Sequence, residues 1–151
     1  MLRLSRETDY SLLALMYIAE REPGQLAYRR DIAAHYNIPR EFLAKVLQKL
    51  CRRGLVKSYR GMQGGYALAR RPETITLADV VEAIDGPIAL VDCQCDPDGC
   101  PQEEACTVQS VMGEVRRGIE EVLRGISLEH MRRRLRRENA PRLLALKGTH
   151  P

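Results

Sequence analysis

"IPREFLAKVLQKLCRRGLVKSYRGMQGGYALAR", residues 38–70, decides the fold of this chain. A helix is predicted to begin at Pro39 or Arg40. Its inward face carries apolar residues at helical spacing, namely Phe42, Leu43, Val46, Leu47 and Leu50. Gly54 ends the helix, because glycine adopts the left-handed backbone conformation that closes a helix. The residues that follow alternate between apolar and polar around a glycine-rich centre, which predicts a β-hairpin.

Two more helices are predicted upstream. In "TDYSLLALMYIAERE", residues 8–22, the apolar residues share one helical face, and Thr8 or Asp9 is the expected N-cap. "YRRDIAAHYN", residues 28–37, predicts a short helix that ends in a turn at Asn37 and Pro39. Two helices joined by a short turn form a helix-turn-helix, and a basic hairpin directly after it makes a winged helix. Such a module reads DNA from two sides, with its second helix in the major groove.

The net charge of +4 is unevenly distributed along the 151 residues. Residues 1–70 carry 13 Lys and Arg against 6 Asp and Glu, a net +7. Residues 71–126 carry 4 against 12, a net −8, and residues 127–151 carry 7 against 2, a net +5. A basic first half fits a surface that faces phosphate, although ordinary solvated charge is the alternative interpretation. We find no segment apolar enough to span a bilayer and no signal peptide, so the expected location is the cytoplasm.

The second half of the chain is predicted to contain a helix that needs a partner. "TLADVVEAIDG", residues 76–86, is a short helix capped by Thr76. In residues 108–125 a single stripe contains Val108, Val111, Met112, Val115, Ile119, Val122 and Leu123. Packing on its own domain is one interpretation of this stripe, and pairing with a second copy is the other. The predicted fold class is therefore mainly α, a winged helix-turn-helix with a long C-terminal dimerisation helix. "SLEHM", residues 127–131, suggests a short last helix.

The segment "DCQCDPDGCPQEEAC", residues 92–106, holds four of the five cysteines. Its gaps contain Asp, Gly, Pro and Gln, so it is predicted to be a loop that can fold its thiolates around one centre: Cys93, Cys95, Cys100 and Cys106. Clustered cysteines in the cytoplasm bind metal or act in redox chemistry more often than they form structural disulfides. Zinc and an iron–sulfur cluster both fit, and the spacing alone leaves the two open. Cys51 stands apart and is expected in the core.

These motifs together resemble the Rrf2 family of bacterial winged-helix regulators, which includes the IscR and NsrR types. The resemblance covers residues 1–132 and rests on "RETDYSLLALMYIA", on residues 38–70, on "ITLADVVEAIDG" and on the cysteine spacing before the long helix. It implies a homodimeric transcription factor, here expected to be a repressor, that binds an iron–sulfur cluster of the 4Fe–4S or 2Fe–2S kind. The expected division of the chain is a DNA-binding domain (1–86), a cluster loop (87–107), a dimerisation helix with a short following helix (108–132) and a basic flexible tail (133–151).

The resemblance also implies a set of cluster ligands. Cys100 and Cys106 match two of the family's cysteines, and the first ligand is Cys93, Cys95 or both. The IscR type has a histidine where this chain has Gln109, so that ligand set is not expected here. The NsrR type takes an aspartate from the other subunit, and Asp9 matches its position. A helix N-cap is the competing interpretation of Asp9, and a second hypothesis uses all four local cysteines.

For DNA, the resemblance points to the third helix and the wing. Arg60 matches the wing residue that enters the minor groove in the IscR type, and Ala44 replaces a glutamate that tunes site preference there. The full set of predicted DNA contacts is Tyr28, Arg29, Arg30, Arg40, Glu41, Lys45, Lys49 and Arg60. An alternative is a winged-helix regulator whose cysteines bind zinc or form a thiol–disulfide switch. An enzyme is not expected, because no C-x-x-C motif lies at a helix start.

Overall fold

The computed structural model of the protein describes residues 3–94 and 106–147. Three helices precede a two-stranded antiparallel hairpin, and three helices follow it. Their bounds are α1 Arg6–Ala19, α2 Arg29–Tyr36, α3 Arg40–Arg52, β1 Val56–Tyr59, β2 Gly65–Leu68, α4 Leu77–Ile84, α5 Gln109–Arg124 and α6 Leu128–Lys147. The winged-helix prediction is confirmed, with α2 and α3 as the helix-turn-helix and β1–β2 as the wing.

The turn from α3 into the wing follows the prediction made from residues 38–70. Gly54 has a φ of +68°, and the Leu55 amide donates to the Leu50 carbonyl at 3.0 Å. This pattern satisfies a carbonyl that the end of the helix would otherwise leave unpaired. Val56 of β1 pairs with Leu68 of β2. The chain therefore leaves α3 directly into the wing, which fixes the wing beside this helix.

A third segment joins the wing from the N-terminal side. Ala27 exchanges two backbone hydrogen bonds with Tyr66 of β2, at 2.8 and 2.9 Å. A side chain at Gly65 would meet Leu26 Cβ at 2.8 Å and the Ala27 carbonyl at 2.9 Å, so only glycine permits this approach. The contact places Tyr28 and the start of α2 next to the wing.

One core holds the helices together. The fully buried side chains come from α1, α2, α3, the strand region, α4 and the first residue of α6; they include Leu15, Ile32, Leu43, Leu47, Leu50, Ile75, Val80 and Leu128. The apolar face predicted for α3 is buried as expected, and Phe42 at its margin packs edge-on against Tyr10 at 5.3 Å between ring centroids. Because α1, α3 and α4 share this core, a displacement of one of them is felt by the others.

Two boundaries differ from the sequence predictions. Helix α1 begins at Arg6, and its N-cap is Ser5, whose hydroxyl accepts from the Thr8 amide at 3.1 Å. Thr8 and Asp9 therefore lie inside the helix, and the prediction that either caps it is wrong. Helix α6 extends to Lys147, well beyond the short helix predicted at residues 127–131. Residues 148–151 of the predicted tail lie outside the described residues.

Charged pairs stabilise the arginine-rich first half of α6. Glu129, 7 % exposed, binds Arg132 at 2.9 Å and Arg133 at 2.8 Å. Arg132 also donates to the Ala19 carbonyl at 2.8 Å, which ties α6 to the end of α1. A further pair on the helix surface joins Arg134 and Glu138 at 3.2 Å. Such pairs at helical spacing stabilise a helix that has few apolar residues. No helix in the described part of the chain is both long and apolar enough to cross a membrane.

Candidate DNA-binding face and cysteine segment

The outer face of α3 is polar and accessible. Arg40, Glu41 and Lys45 are exposed, whereas Ala44 between them is half-buried. The opposite face of the helix is buried in the core, so α3 presents a fixed row of side chains to solvent. A helix held in this way can lie in the major groove, which is wide enough to admit it.

The wing tip and the starts of α2 and α3 meet at one groove. Its lining residues are Tyr28, Arg29, Arg30, Arg40 and Met62. A second groove alongside it is lined by residues of the wing, Arg60 among them, and again by Tyr28 and Arg29. The structure therefore brings five of the predicted DNA contacts together on one basic face. Met62 belongs to the same face, and no sequence pattern points to it, because an isolated apolar residue in a turn has no periodicity.

Lys49 is placed differently from the rest of the predicted DNA contacts. It is half-buried, and its ammonium donates to the carboxylate of Glu7 on the first turn of α1. This ion pair holds α1 against α3. That Lys49 contacts DNA stays a prediction. The structure adds that Lys49 positions α3 against α1, a role that its place along the helix does not indicate.

The start of α1 is also tied to the residue that follows α4. Asp85 accepts from the Ser5 amide at 3.2 Å, the Ser5 hydroxyl at 2.5 Å and the Thr8 hydroxyl at 2.9 Å. Partial desolvation beside α1 would by itself raise the pKa of the largely exposed Asp85, but the hydrogen bonds from Ser5 and Thr8 and the charge of Lys49 outweigh it and lower the pKa. The first turn of α1 is thus anchored both to α3 and to the chain leading into the cysteine segment.

This anchor predicts a pH-dependent stability. A lowered pKa in the folded state means that Asp85 stabilises the protein above its unfolded-state pKa, and that the stabilisation is lost as the pH falls through the folded-state pKa. Asp85→Asn should cost about 1 kcal/mol or less at pH 7, because Asp85 is exposed and solvent screens it. Urea unfolding measured between pH 7 and about pH 3 should show that the difference in unfolding free energy between the wild type and Asp85→Asn shrinks as the pH falls. Asp31→Asn is the control, because the Asp31 carboxylate pairs with Arg30 and makes no contact with the first turn of α1. If the difference in unfolding free energy stays constant with pH, the role assigned to the Asp85 carboxylate is wrong.

Asp9 is exposed on the same turn of α1. Its backbone amide donates to the Ser5 carbonyl at 3.1 Å, as helical geometry requires. Its carboxylate makes no hydrogen bond or ion pair with any of the described residues. Since Ser5 is the N-cap, capping does not account for Asp9. The carboxylate is therefore accessible to a group that another molecule brings.

The structure describes two of the four clustered cysteines. Cys93 lies half-buried in a 3₁₀ turn, Asp92–Gln94, and Cys106 is a half-buried free thiol just before α5. Cys95 and Cys100 lie outside the described residues. In residues 3–94 and 106–147, no group of three His, Cys, Asp or Glu side chains is placed to hold a metal ion. Cys51 is half-buried against the core as predicted, and burial raises its pKa, which keeps it a thiol.

The apolar stripe of α5 is divided between two environments. Met112, Ile119 and Leu123 are half-buried, and the last two line a crevice against Val81 of α4. The neighbouring edge of the stripe is open to solvent, with Val108 52 %, Val111 52 %, Val115 45 % and Val122 64 % exposed. Packing of α5 on its own domain is therefore confirmed for one side of the stripe, whereas pairing with a second copy through the uncovered apolar edge stays a prediction.

A winged helix whose cationic side chains converge on the wing and on the starts of α2 and α3 defines a DNA-binding transcription regulator. Comparison with known proteins agrees. Residues 4–134 match the family model described as "Rrf2: Iron-dependent Transcriptional regulator". The chain therefore belongs to the Rrf2 family. Because this is a family of regulators, the expectation that the chain is not an enzyme is confirmed.

Individual relatives match over most of their length. Protein aau3 of Rhizobium meliloti is 33 % identical over 131 residues, covering 86 % of this chain and 84 % of that protein. The HTH-type transcriptional regulator NsrR of Bacillus subtilis is 32 % identical over 114 residues, covering 75 % and 78 %. Among solved structures, CymR, the global cysteine regulator of B. subtilis, aligns with a TM-score of 0.70 at 29 % identity, covering 87 % of this chain and 97 % of that one. IscR of T. potens aligns with a TM-score of 0.68 at 29 % identity, covering 86 % and 85 %.

Proposed function

We propose that this protein is a homodimeric, cytoplasmic repressor whose affinity for its operator is set by an iron–sulfur cluster bound at the cysteine segment. The observation that carries the proposal is the position of Cys93 and Cys106. These half-buried cysteines flank a short acidic segment that contains two further cysteines, and the chain belongs to a family described as iron-dependent. Thiolate sulfur is the usual protein ligand of such clusters. The donor chemistry of the segment therefore fits the group.

The ligands we propose are Cys100, Cys106 and either Cys93 or Cys95 from one chain, with Asp9 from its partner. The exposed carboxylate of Asp9, which is neither the N-cap nor paired with a described residue, supports this set. Ligation by all four cysteines of one segment is the competing set. When bound, the cluster would make the segment responsive to oxidation, nitric oxide or iron supply.

The dimer is proposed to form through α5. Four valines along one edge of the helix are about half exposed in the single chain, and each would gain about 0.8 kcal/mol if the rest of its surface were buried. A matching edge on a second copy would cover them by twofold symmetry. A twofold dimer also presents two recognition helices, which fits operators made of paired half-sites about 34 Å apart.

The chain's own contacts provide a path from ligand to DNA. Asp9 lies on the turn of α1 that carries Glu7, and Glu7 holds Lys49 of α3. The same turn is bound to Asp85 through Ser5 and Thr8. With Asp9 held by the partner, this turn is fixed and α3 is fixed with it. With Asp9 released, α1 and α3 can shift together, which changes how the two recognition helices are spaced.

Anaerobic purification of the full chain tests the cofactor directly. We expect a coloured protein with iron and acid-labile sulfide, whose visible absorbance fades in air. Gel shifts on the operator should then show tight binding by the holo form and weaker binding by the apo form. A colourless protein with stoichiometric zinc, or one in which thiol oxidation alone changes DNA binding, would replace the proposal with the zinc or thiol–disulfide alternative.

A further inference from the structure

Met62 is the most exposed large apolar residue described in this chain. It lies at the tip of the wing and its exposure is 105 %, so the hairpin itself covers none of it. The exposed valines of α5 belong to the proposed dimer edge, but Met62 lies at the other functional face of the molecule. An apolar side chain that is left in water gains free energy from a partner that covers it.

The surroundings of Met62 indicate which partner that is. It lines the same groove as Arg29, Arg30 and Arg40, at the starts of α2 and α3. Arg60, also exposed, precedes it by two residues. When α3 lies in a major groove of DNA and the wing lies in the adjacent minor groove, one DNA backbone runs between them. That backbone would then pass through the protein groove that Met62 lines. The arginines would then lie against phosphates, and Met62 would lie on the minor-groove side.

The shape of the tip suits a narrow groove. Gly61, with a φ of +111°, directly precedes Met62, and Gly64 follows it by two residues. Residues without a Cβ keep the tip thin, which matters in a minor groove only about 6 Å wide. Methionine is unbranched and flexible, so it can follow the contour of sugars and base edges. Apolar side chains of this kind are used by other proteins to enter a base step from the minor groove.

We propose that Met62 is an apolar minor-groove contact of the wing, inserting at a base step beside Arg60. The inference goes beyond the basic contacts proposed above and rests only on the wing meeting DNA, not on the cluster. Its contribution is independent of salt, because the side chain carries no charge and displaces no counterions. It also makes binding depend on how easily the contacted step unstacks, and pyrimidine–purine steps unstack most readily.

Operator binding by Met62 variants tests the proposal, measured by fluorescence anisotropy on one purified form of the dimer. Met62→Ala and Met62→Gln should each weaken binding about tenfold, and Met62→Leu should stay within about threefold of the wild type. The dependence of log K on log salt should be unchanged in Met62→Ala, whereas Arg60→Ala should reduce its slope by about one. A 2-aminopurine placed at the contacted step should brighten on binding the wild type and not on binding Met62→Ala.

Leu135→Ala is the matched control, because Leu135 is also an exposed apolar residue, at 46 %, but lies on α6. It should bind within about twofold of the wild type. If Met62→Ala also binds within about twofold while Arg60→Ala is impaired, the wing contacts DNA and the Met62 proposal is overturned. If neither variant is impaired, the wing itself does not contact the operator and both assignments fail.

Discussion

Val115→Glu is expected to convert the proposed dimer into a monomer and to weaken operator binding about a hundredfold or more. Val115 lies in the middle of the exposed edge of α5 and is 45 % exposed in the single chain. In a twofold interface the new carboxylate would be removed from water without a partner, and it would face the same apolar edge on the second copy. A monomer engages only one half-site, so it loses the gain in affinity that comes from linking two binding modules.

Sedimentation velocity gives the oligomeric state, and anisotropy on a full operator and on a single half-site gives the two affinities. The variant should bind the half-site as the wild-type domain does, which separates loss of pairing from loss of the DNA-binding face. Because Val115 is exposed in the single chain, its replacement removes no contact within the domain, so the circular dichroism spectrum should be unchanged. The melting temperature should fall only by the stabilisation that dimerisation adds. Ser110→Glu adds the same charge at an exposed position of α5 away from the stripe and should remain a dimer. A dimeric Val115→Glu that binds the full operator normally would exclude α5 as the interface.

Local patterns were sufficient to predict the parts of the fold that depend on neighbouring residues. The end of α3 at Gly54 follows from glycine's left-handed conformation, and the observed φ of +68° is of that kind. The capping box at the start of α4 is present, with Thr76 and Asp79 bonded to each other's backbone amides. These features depend on interactions over three or four residues, which a sequence displays directly.

The features that the sequence does not reveal arise where a partner lies far along the chain. The N-cap of α1 was placed too late because its first turn is polar and the apolar periodicity begins only afterwards. Ser5 is favoured there partly by Asp85, which is 80 residues away. Lys49 has the helical position of a DNA contact, yet it binds Glu7, 42 residues away. No local pattern reports such pairs, because they exist only once the helices have packed.

Helix α6 shows the same limit in another form. Residues 132–139 contain one apolar residue, Leu135, so hydrophobic periodicity does not extend the helix beyond its first turn. In the structure, the buried Glu129 pairs with Arg132 and Arg133, and Arg136 reaches Glu20, just after α1, at 3.2 Å. The candidate site likewise has parts that the sequence predicts and parts that depend on packing. The sequence identified the cysteines and the basic residues by type, but the groove that joins the wing to α2 and α3 depends on the packing of all three.

Cys106→Ala is expected to abolish cluster binding and, with it, the change in operator affinity that follows cluster loss. The thiol of Cys106 is half-buried and free, directly before α5, so its removal deletes a proposed ligand without breaking a described contact. The variant should be purified anaerobically without visible absorbance, and its iron content should fall to background. Its operator affinity should match that of the wild-type apo form, about tenfold or more below the holo form, which is the usual range of coupling between two sites.

Cys51→Ala is the matched control, because Cys51 is also a half-buried thiol but belongs to the core beside α3. It should lose some stability through the small cavity it leaves, yet keep its iron, its colour and its response. If Cys51→Ala and Cys106→Ala both retain the cluster, the proposed ligand set is wrong. If Cys106→Ala loses the cluster but still binds the operator as the holo wild type does, the segment holds a group that does not regulate DNA binding.

Asp9→Ala then separates the two ligand sets and tests the path to α3. If Asp9 of the partner is a ligand, the variant should hold less iron, lose it faster in air and bind the operator like the apo protein, because the first turn of α1 is no longer fixed. If the four local cysteines are the ligands, Asp9→Ala should keep a full cluster and a normal response.

Glu7→Gln completes the comparison. It leaves every proposed ligand in place and weakens only the link to Lys49. A variant that binds the cluster fully but responds weakly to its loss would therefore locate the coupling in that ion pair.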